Sequence, residues 1–220
     1  MKIGFISDIH SNKIALKSVL EDMPTVDKLI CMGDIIGYGP WPSDCVEIVQ
    51  EECDLFVRGN HDRQVSYPRE YKSNVPEYEG LIHSKAKLTN EQFNWVTTLP
   101  EQISIDDYLC VHSHPVSTDN YVYPSDFSAM GRYLSEYDGL VMGHTHKQGK
   151  ETIEDGKLVF NPGSVGQPRD EDERAAYAVL DSDKNTVELR RTEYDIEKVI
   201  NKINEYELPE FSGARLRKGL

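Results

Sequence analysis

Five of the seven histidines, His10, His61, His112, His144 and His146, fall just after short apolar runs. Asp8, Asp34 and Asn60 occupy the same kind of position. Carboxylates, imidazoles and a side-chain carbonyl, without thiolate, suit Mn, Fe, Ni or Zn in a catalytic site better than a structural zinc cage. In Asp8-Ile9-His10 and His144-Thr145-His146 the polar residues are two apart. On extended backbone both would point to one side and could share an ion. The candidates are too many for a single ion. Two ions roughly 3.5 to 4 Å apart, bridged by a carboxylate such as Asp34, can clamp the attacking and leaving oxygens of phosphoryl transfer.

Such a cluster needs elements that end together. The apolar runs Ile3 to Ile6, Leu29 to Met32, Leu55 to Val57, Leu109 to Val111 and Leu140 to Met142 read as short buried strands, each closing on one of these polar blocks. Helical patterns separate the first three. Ile14, Leu16, Val19 and Leu20 follow an Asn12 cap, and Val46, Val49 and Cys53 follow Ser43-Asp44, with Glu47 placed for a capping box with Asp44. The alternation predicts parallel strands with right-handed crossovers, which gather ligands at the carboxyl ends of the strands.

Further along, Thr89 and Gln92 form another capping box ahead of Phe93 and Val96, and Ser125 caps a pattern of Phe127, Met130, Leu134 and Tyr137. Asp155-Gly156 predicts a hairpin turn within 151–160. A second hairpin runs from Ala175 to Tyr194 about 182–185, and Ile196, Val199, Ile200 and Ile203 form a helix stripe. The stretch Ser66 to Gly80 reads as an irregular excursion. Residues 1–208 are expected to make one domain and 209–220 a basic tail with Arg215, Arg217 and Lys218, frayed and solvated.

The formal charge of -14 disfavours binding to polymeric nucleic acid, where Lys and Arg must neutralise phosphates. An anionic substrate then needs a local source of positive charge, which metals would provide. No apolar run approaches the roughly 18 residues that span a bilayer, so no membrane partner is expected. Met1 to Asp8 lacks the long apolar run of a signal peptide, and the four cysteines form no CxxC pair, which together favour reduced thiols and a cytoplasmic location. Assembly into a homo-oligomer is left open.

In order along the chain stand Asp8-Ile9-His10, Gly33-Asp34, Gly59-Asn60-His61-Asp62, His112 and Gly143-His144-Thr145-His146. This ordered set resembles the calcineurin-like metallophosphoesterases, and a small bacterial or archaeal member of phosphodiesterase type in particular. The Gly-rich Asn161-Pro162-Gly163-Ser164-Val165-Gly166 extends the likeness. The resemblance implies an α/β fold of two packed mixed β-sheets flanked by helices, a four-layer αββα sandwich. It implies that Asp8, His10, Asp34 and His146 hold one divalent ion and that Asp34, Asn60, His112 and His144 hold the other, manganese being favoured over Ni, Fe or Zn. It further implies a hydroxide bridging the ions as nucleophile and His61 as the acid that protonates the leaving oxygen.

Asp62 is then the candidate to orient His61 and favour its charged form. Tyr38, His114 and Arg169 are candidate substrate contacts. Against these stand plainer roles: Tyr38 as packing, His114 as a loop histidine, Arg169 as a surface charge among Asp170, Glu171 and Asp172, and Arg58 as a structural ion-pair former. Asn161 and Ser164 are expected to shape their loop. The segment after Asp34 reads Ile35-Ile36-Gly37-Tyr38-Gly39 where protein Ser/Thr phosphatases of this superfamily carry Asp-Arg-Gly, which weakens a protein-phosphatase reading. The expected activity is hydrolysis of small phosphodiesters or nucleotide-like esters. The alternatives are a phosphomonoesterase or nucleotide pyrophosphatase with the same centre, and a non-catalytic scaffold.

Overall fold

The computed structural model describes residues 1–68 and 76–220. Its frame is two five-stranded mixed sheets, in the orders β10-β9-β1-β2-β3 and β4-β5-β6-β8-β7. In the first, β1 (Lys2–Ile6), β2 (Lys28–Cys31) and β3 (Leu55–Phe56) run parallel, linked by α1 (Lys13–Asp22) and α2 (Pro42–Glu52). The antiparallel hairpin β9 (Ala175–Asp181) and β10 (Thr186–Thr192) extends its other edge. In the second, β5 (Tyr108–Val111), β6 (Gly139–Val141) and β8 (Leu158–Asn161) are parallel, with β4 (Gln102–Ile105) and β7 (Gly149–Thr152) antiparallel at the edges.

Alternation along the strands builds the layers. Ile3 and Phe5 of β1 and Ile30 of β2 face Tyr108, Cys110, Val141, Leu158 and Phe160 of the other sheet in one buried cluster. Phe5 meets Phe160 edge-on at 5.3 Å across that interface. The opposite face, with Ile6, Leu29 and Cys31, packs on Leu16, Val19, Val46 and Val49 of the helices. Beyond the second sheet, Phe127, Met130 and Leu134 cover Leu109, Leu140 and Val159. The expected four layers are present, although the outermost is the 3-10 helix Pro124–Tyr133 rather than an α-helix.

Several local expectations hold in detail. Asn12 accepts from the Ala15 amide at 3.1 Å, and Thr89 and Gln92 exchange bonds at 3.1 and 3.0 Å ahead of α5 (Asn90–Thr97). Asp155 and Gly156 both take positive φ, 60° and 74°, as the tight β7–β8 turn requires. Others do not hold. α2 starts at Pro42, whose fixed φ suits the first helical position, so Asp44 lies inside the helix and pairs with Lys13, while Glu47 accepts from Gln92. Ser125 caps nothing; Asp126 reaches back to the Tyr123 amide instead.

Within the expected excursion Ser66 to Gly80, residues 69–75 lie outside the described residues, and Pro76 to Gly80 begin a helix, α4 (Pro76–Lys87). Proline at its start and Glu77 and Glu79 in its first turn favour that helix. The basic tail is not frayed. It forms α7 (Glu210–Ala214) and a 3-10 turn, and it seats Leu216 in a cluster with Leu208 and with Val199 and Ile203 of α6 (Ile196–Glu205). Arg217 pairs with Glu197 at 2.7 and 2.8 Å, and the Gly219 carbonyl accepts from the Glu171 amide at 2.9 Å. Among the described residues, no helix is long and apolar enough to cross a membrane.

Candidate metal centre

The polar blocks meet where the parallel strands of both sheets end. They do so on left-handed rather than extended backbone. Asp8, His10, Asp34, His144 and His146 have φ between 47° and 66°, which corrects the extended-strand account of the two-residue spacing. Side chains two apart converge here because the chain turns sharply after each strand. A left-handed non-glycine residue costs of order 1–3 kcal/mol and persists only where neighbours over-determine it. Here they do: the Asp8 amide donates to Gly33 O at 3.0 Å, the His10 amide to Asp34 O at 2.9 Å, and the Ser11 amide to Ile35 O at 2.9 Å.

The Gly-rich loop completes the cradle as expected. Ser164 Oγ donates to Asp8 O at 2.7 Å, and Asn161 Nδ2 donates to Gly143 O at 2.7 Å. A Cβ on Gly166 would lie 1.8 Å from Ile9 O, so only glycine allows that approach. Gly59 is constrained in the same way, because a Cβ there would lie 2.1 Å from Asp34 Oδ1.

Two donor sets share no residue, Asp8 with His10 and His146, and Asp34 with His112 and His144. Asp34 Oδ2 lies between them, 3.7 Å from His10 Nε2 and 3.4 Å from His112 Nε2. Asp8 Oδ1 is 3.3 Å from His146 Nε2, and Asn60 Oδ1 is 3.2 Å from His112 Nε2. The imidazoles are oriented by carbonyls: His10 Nδ1 by Ile36 at 3.1 Å, His112 Nδ1 by Met32 at 2.8 Å, and His146 Nδ1 by Gln167 at 2.6 Å. In its neutral form, a ring whose Nδ1–H is spent on a carbonyl presents Nε2 as a bare lone pair, ready for a cation. His144 is turned the other way. Its Nε2 bonds Asp119 O at 3.1 Å, which leaves Nδ1 for the cluster.

The fit to cations follows from these contacts. His10 and His146 bring their Nε2 atoms within 3.1 Å of each other, an arrangement of facing lone pairs that a shared cation would stabilise. Burial holds His10 and His146 well below the ordinary imidazole range, helped by His61 and Arg169 respectively. Burial also raises Asp8, to about 6, against the opposing field of His112. For His112 burial acts downward, but Asp34 and Asp8 outweigh it and lift the group to about 10. Burial would raise Asp34 as well, yet His112, His61 and His10 together hold it well below the carboxylate range.

His61 lies beside this cluster. Its ring is 4.8 Å from that of His10, its amide donates to Asp34 Oδ1 at 2.8 Å, and it also lies near enough to His10 and Asp34 to complete a third donor set. Asp62 does not orient it. The Asp62 carboxylate accepts from the backbone amides of Asp34, Ile35, Ile36 and Gly59 at 2.8, 3.0, 3.4 and 3.0 Å, so it ties the loop after β2 to the start of α3 (Asn60–Gln64). Among the described residues His61 Nδ1 has no hydrogen-bond partner. The expectation failed because sequence adjacency does not say which way a helical side chain points.

Tyr38 is 4% exposed, packed against the rings of His10 and His61 at 4.8 and 4.9 Å, and donates to Glu77 at 2.9 Å. It walls the site and has no free face for a base. Arg169 is turned inward, 2.7 Å from Gln167 Oε1 and 3.4 Å from the Tyr38 hydroxyl. Its acidic neighbours are engaged elsewhere, Asp170 by Arg191 and Asp172 by Arg174. His114 stands apart, its ring on Tyr133 at 5.0 Å and its Nδ1 on the Val116 amide. Arg58 pairs with Glu101 at 2.6 Å, as its structural role predicts.

Residues that sequence reasoning missed are Arg63, Asp119 and Tyr121. Arg63 pairs with Asp119 at 2.5 Å, and Asp119 presents the carbonyl that orients His144. Tyr121 stacks on the His144 ring at 4.3 Å. They carry no motif and come together only through the loop that follows β5.

An αββα sandwich whose parallel strands end in a buried Asp, His and Asn cluster is the architecture of the metallophosphoesterase fold. The chain belongs to the calcineurin-like phosphoesterase superfamily: the model of that domain matches residues 1–185. It is 34% identical to an uncharacterized protein of Methanocaldococcus jannaschii, over 99% of this chain and 98% of the relative. It is similar to the crystal structure of a metallophosphoesterase from Sphaerobacter thermophilus, with TM-score 0.88, 31% identity, and 100% and 99% of the two chains covered. A hypothetical protein of Pyrococcus horikoshii has the same fold, with TM-score 0.89, 21% identity, and 100% and 98% covered.

Proposed function

We propose that this phosphoesterase hydrolyses small phosphodiesters or nucleotide-like phosphate esters with the help of two divalent ions, manganese being favoured. Asp8, His10, Asp34 and His146 would hold one, and Asp34, Asn60, His112 and His144 the other. When bound, the ions would supply positive charge beside the phosphoryl oxygens and make a water acidic enough to lose its proton at neutral pH, as a nucleophile for phosphorus requires.

The chain's own residues do the rest. Arg169, braced by Gln167 and Tyr38, offers a guanidinium to a non-bridging oxygen. His61 gives its proton to the departing oxygen as the ester P–O bond breaks. Burial lowers its pKa, and Asp34 opposes that fall; an arriving phosphate anion opposes it further and favours the protonated ring. Tyr38 holds the His10 and His61 rings in place and keeps water from their flank. The partner is a small ester rather than a nucleic acid polymer, given the net charge of -14.

The observation that carries this reading is the position of Asp34, one carboxylate oxygen facing an imidazole of each donor set. Asp34→Asn should therefore deplete bound metal and activity together. Elemental analysis of protein loaded with Mn, Ni, Fe or Zn, alongside mono- and diester assays, is the check. A variant with full metal and full activity removes the shared-carboxylate role.

A further inference from the structure

The loop after β5 carries exposed apolar groups to the rim of the metal centre. Val116 is 72% exposed, Tyr121 53% and Tyr123 40%, in a site otherwise lined by buried polar side chains. Exposed apolar surface bordering a polar site is a mark of ligand contact. Tyr121 is not a loose surface ring. It lies on the His144 imidazole at 4.3 Å between centroids and 21° between planes, and Tyr123 runs nearly parallel to it, 11° apart at 5.9 Å. Lys147 Nζ stands 5.7 Å from the Tyr123 ring.

A phosphate group by itself has no use for such a surface. We infer that Tyr121, supported by Tyr123, binds a planar aromatic substituent of the ester, so that the substrate is an aromatic phosphate ester, a nucleobase being the common biological ring of this kind. The exposed part of the Tyr121 ring, flanked by His144 and Tyr123, would take the base, while Arg169 and the His61 side of the site face the phosphate. This inference rests on the phosphoesterase reading and narrows its substrate class. Aromatic–base stacking is sequence-tolerant, since every base has a π-face. Tyr38 cannot serve instead, because it is only 4% exposed.

Two cyclic phosphodiesters that share the same reactive ring, adenosine 2′,3′-cyclic phosphate and glycerol 1,2-cyclic phosphate, separate the base from the phosphate. In the metal-loaded wild type, kcat/KM should favour the adenosine ester. Tyr121→Ala should lower the adenosine-to-glycerol ratio about ten-fold, mostly through KM, whereas Tyr121→Phe should keep the wild-type ratio. Tyr121→Leu retains an apolar cover over His144 without a π-face, so it should behave like alanine even if alanine sheds metal. A ratio that is the same in all four proteins overturns the stacking role. Failure of the loaded wild type on both cyclic esters while it cleaves other mono- or diesters overturns the aromatic-ester assignment, and failure on all of them defeats the phosphoesterase reading itself.

Discussion

At the scale of single residues, His61 and Asp62 divide differently from their order in the chain. Asp62 is an anchor for four backbone amides, and His61 stands free of it, beside His10 and Asp34. His61→Ala should therefore keep the metals while slowing an alkyl ester far more than an aryl ester, by about 10²- to 10⁴-fold if proton donation is its task. An aryl oxygen leaves without help, so equal losses on both esters would show that the imidazole is not the acid. The donor residues themselves were legible from type and order. Asp62's direction was not, since it depends on a short helix that wraps its carboxylate around the neighbouring loop.

At the scale of elements, the strands and most helices follow from local pattern. The thiols illustrate the consequence. Cys31 and Cys110 lie in central strands, Cys45 in α2 and Cys53 at its C-terminal cap, all free and buried. Burial raises every one of these thiols above its ordinary value. A raised thiol pKa means less thiolate at a given pH, and thiolate is the reactive form. Native protein at pH 8 should thus be silent to a thiol reagent, and all four should react on unfolding in urea; rapid native labelling would contradict this packing. Elements that the pattern missed, β4, α4 and α7, are edge or covering pieces with weak periodicity. Their placement comes from what they cover: Leu81 of α4 joins the helix-side cluster, and Leu216 after α7 fills the gap beside Val199 and Ile203.

At the scale of the whole molecule, the centre joins loops from both sheets, so metal binding and folding are linked. The sign of the pH effect is fixed by His112 and Asp8. His112, lifted to about 10, contributes to the stability of metal-free protein below the ordinary imidazole value, a contribution lost as pH rises through 10. Asp8, raised to about 6, acts in the same direction at lower pH. Metal binding requires the deprotonated ligands, so it strengthens as pH rises. The rise in melting temperature caused by manganese, relative to a chelator-treated sample, should accordingly grow between pH 6 and pH 8. A thermal shift that shrinks over that interval would count against this account.

The sequence by itself determined the ligand types, their order, and the alternation that places each block after a strand, because these are local facts of side-chain chemistry and period. Only the tertiary structure decided how they converge: left-handed turns replace extended strand ends, Asp34 falls between two donor sets, and carbonyls from distant loops choose which imidazole nitrogen faces inward. It also decided that Arg169 turns in, that Tyr38 is sealed, and that Tyr121 lies on His144. Those outcomes depend on contacts between residues far apart in the chain, where packing and desolvation, not local preference, set the direction of each side chain.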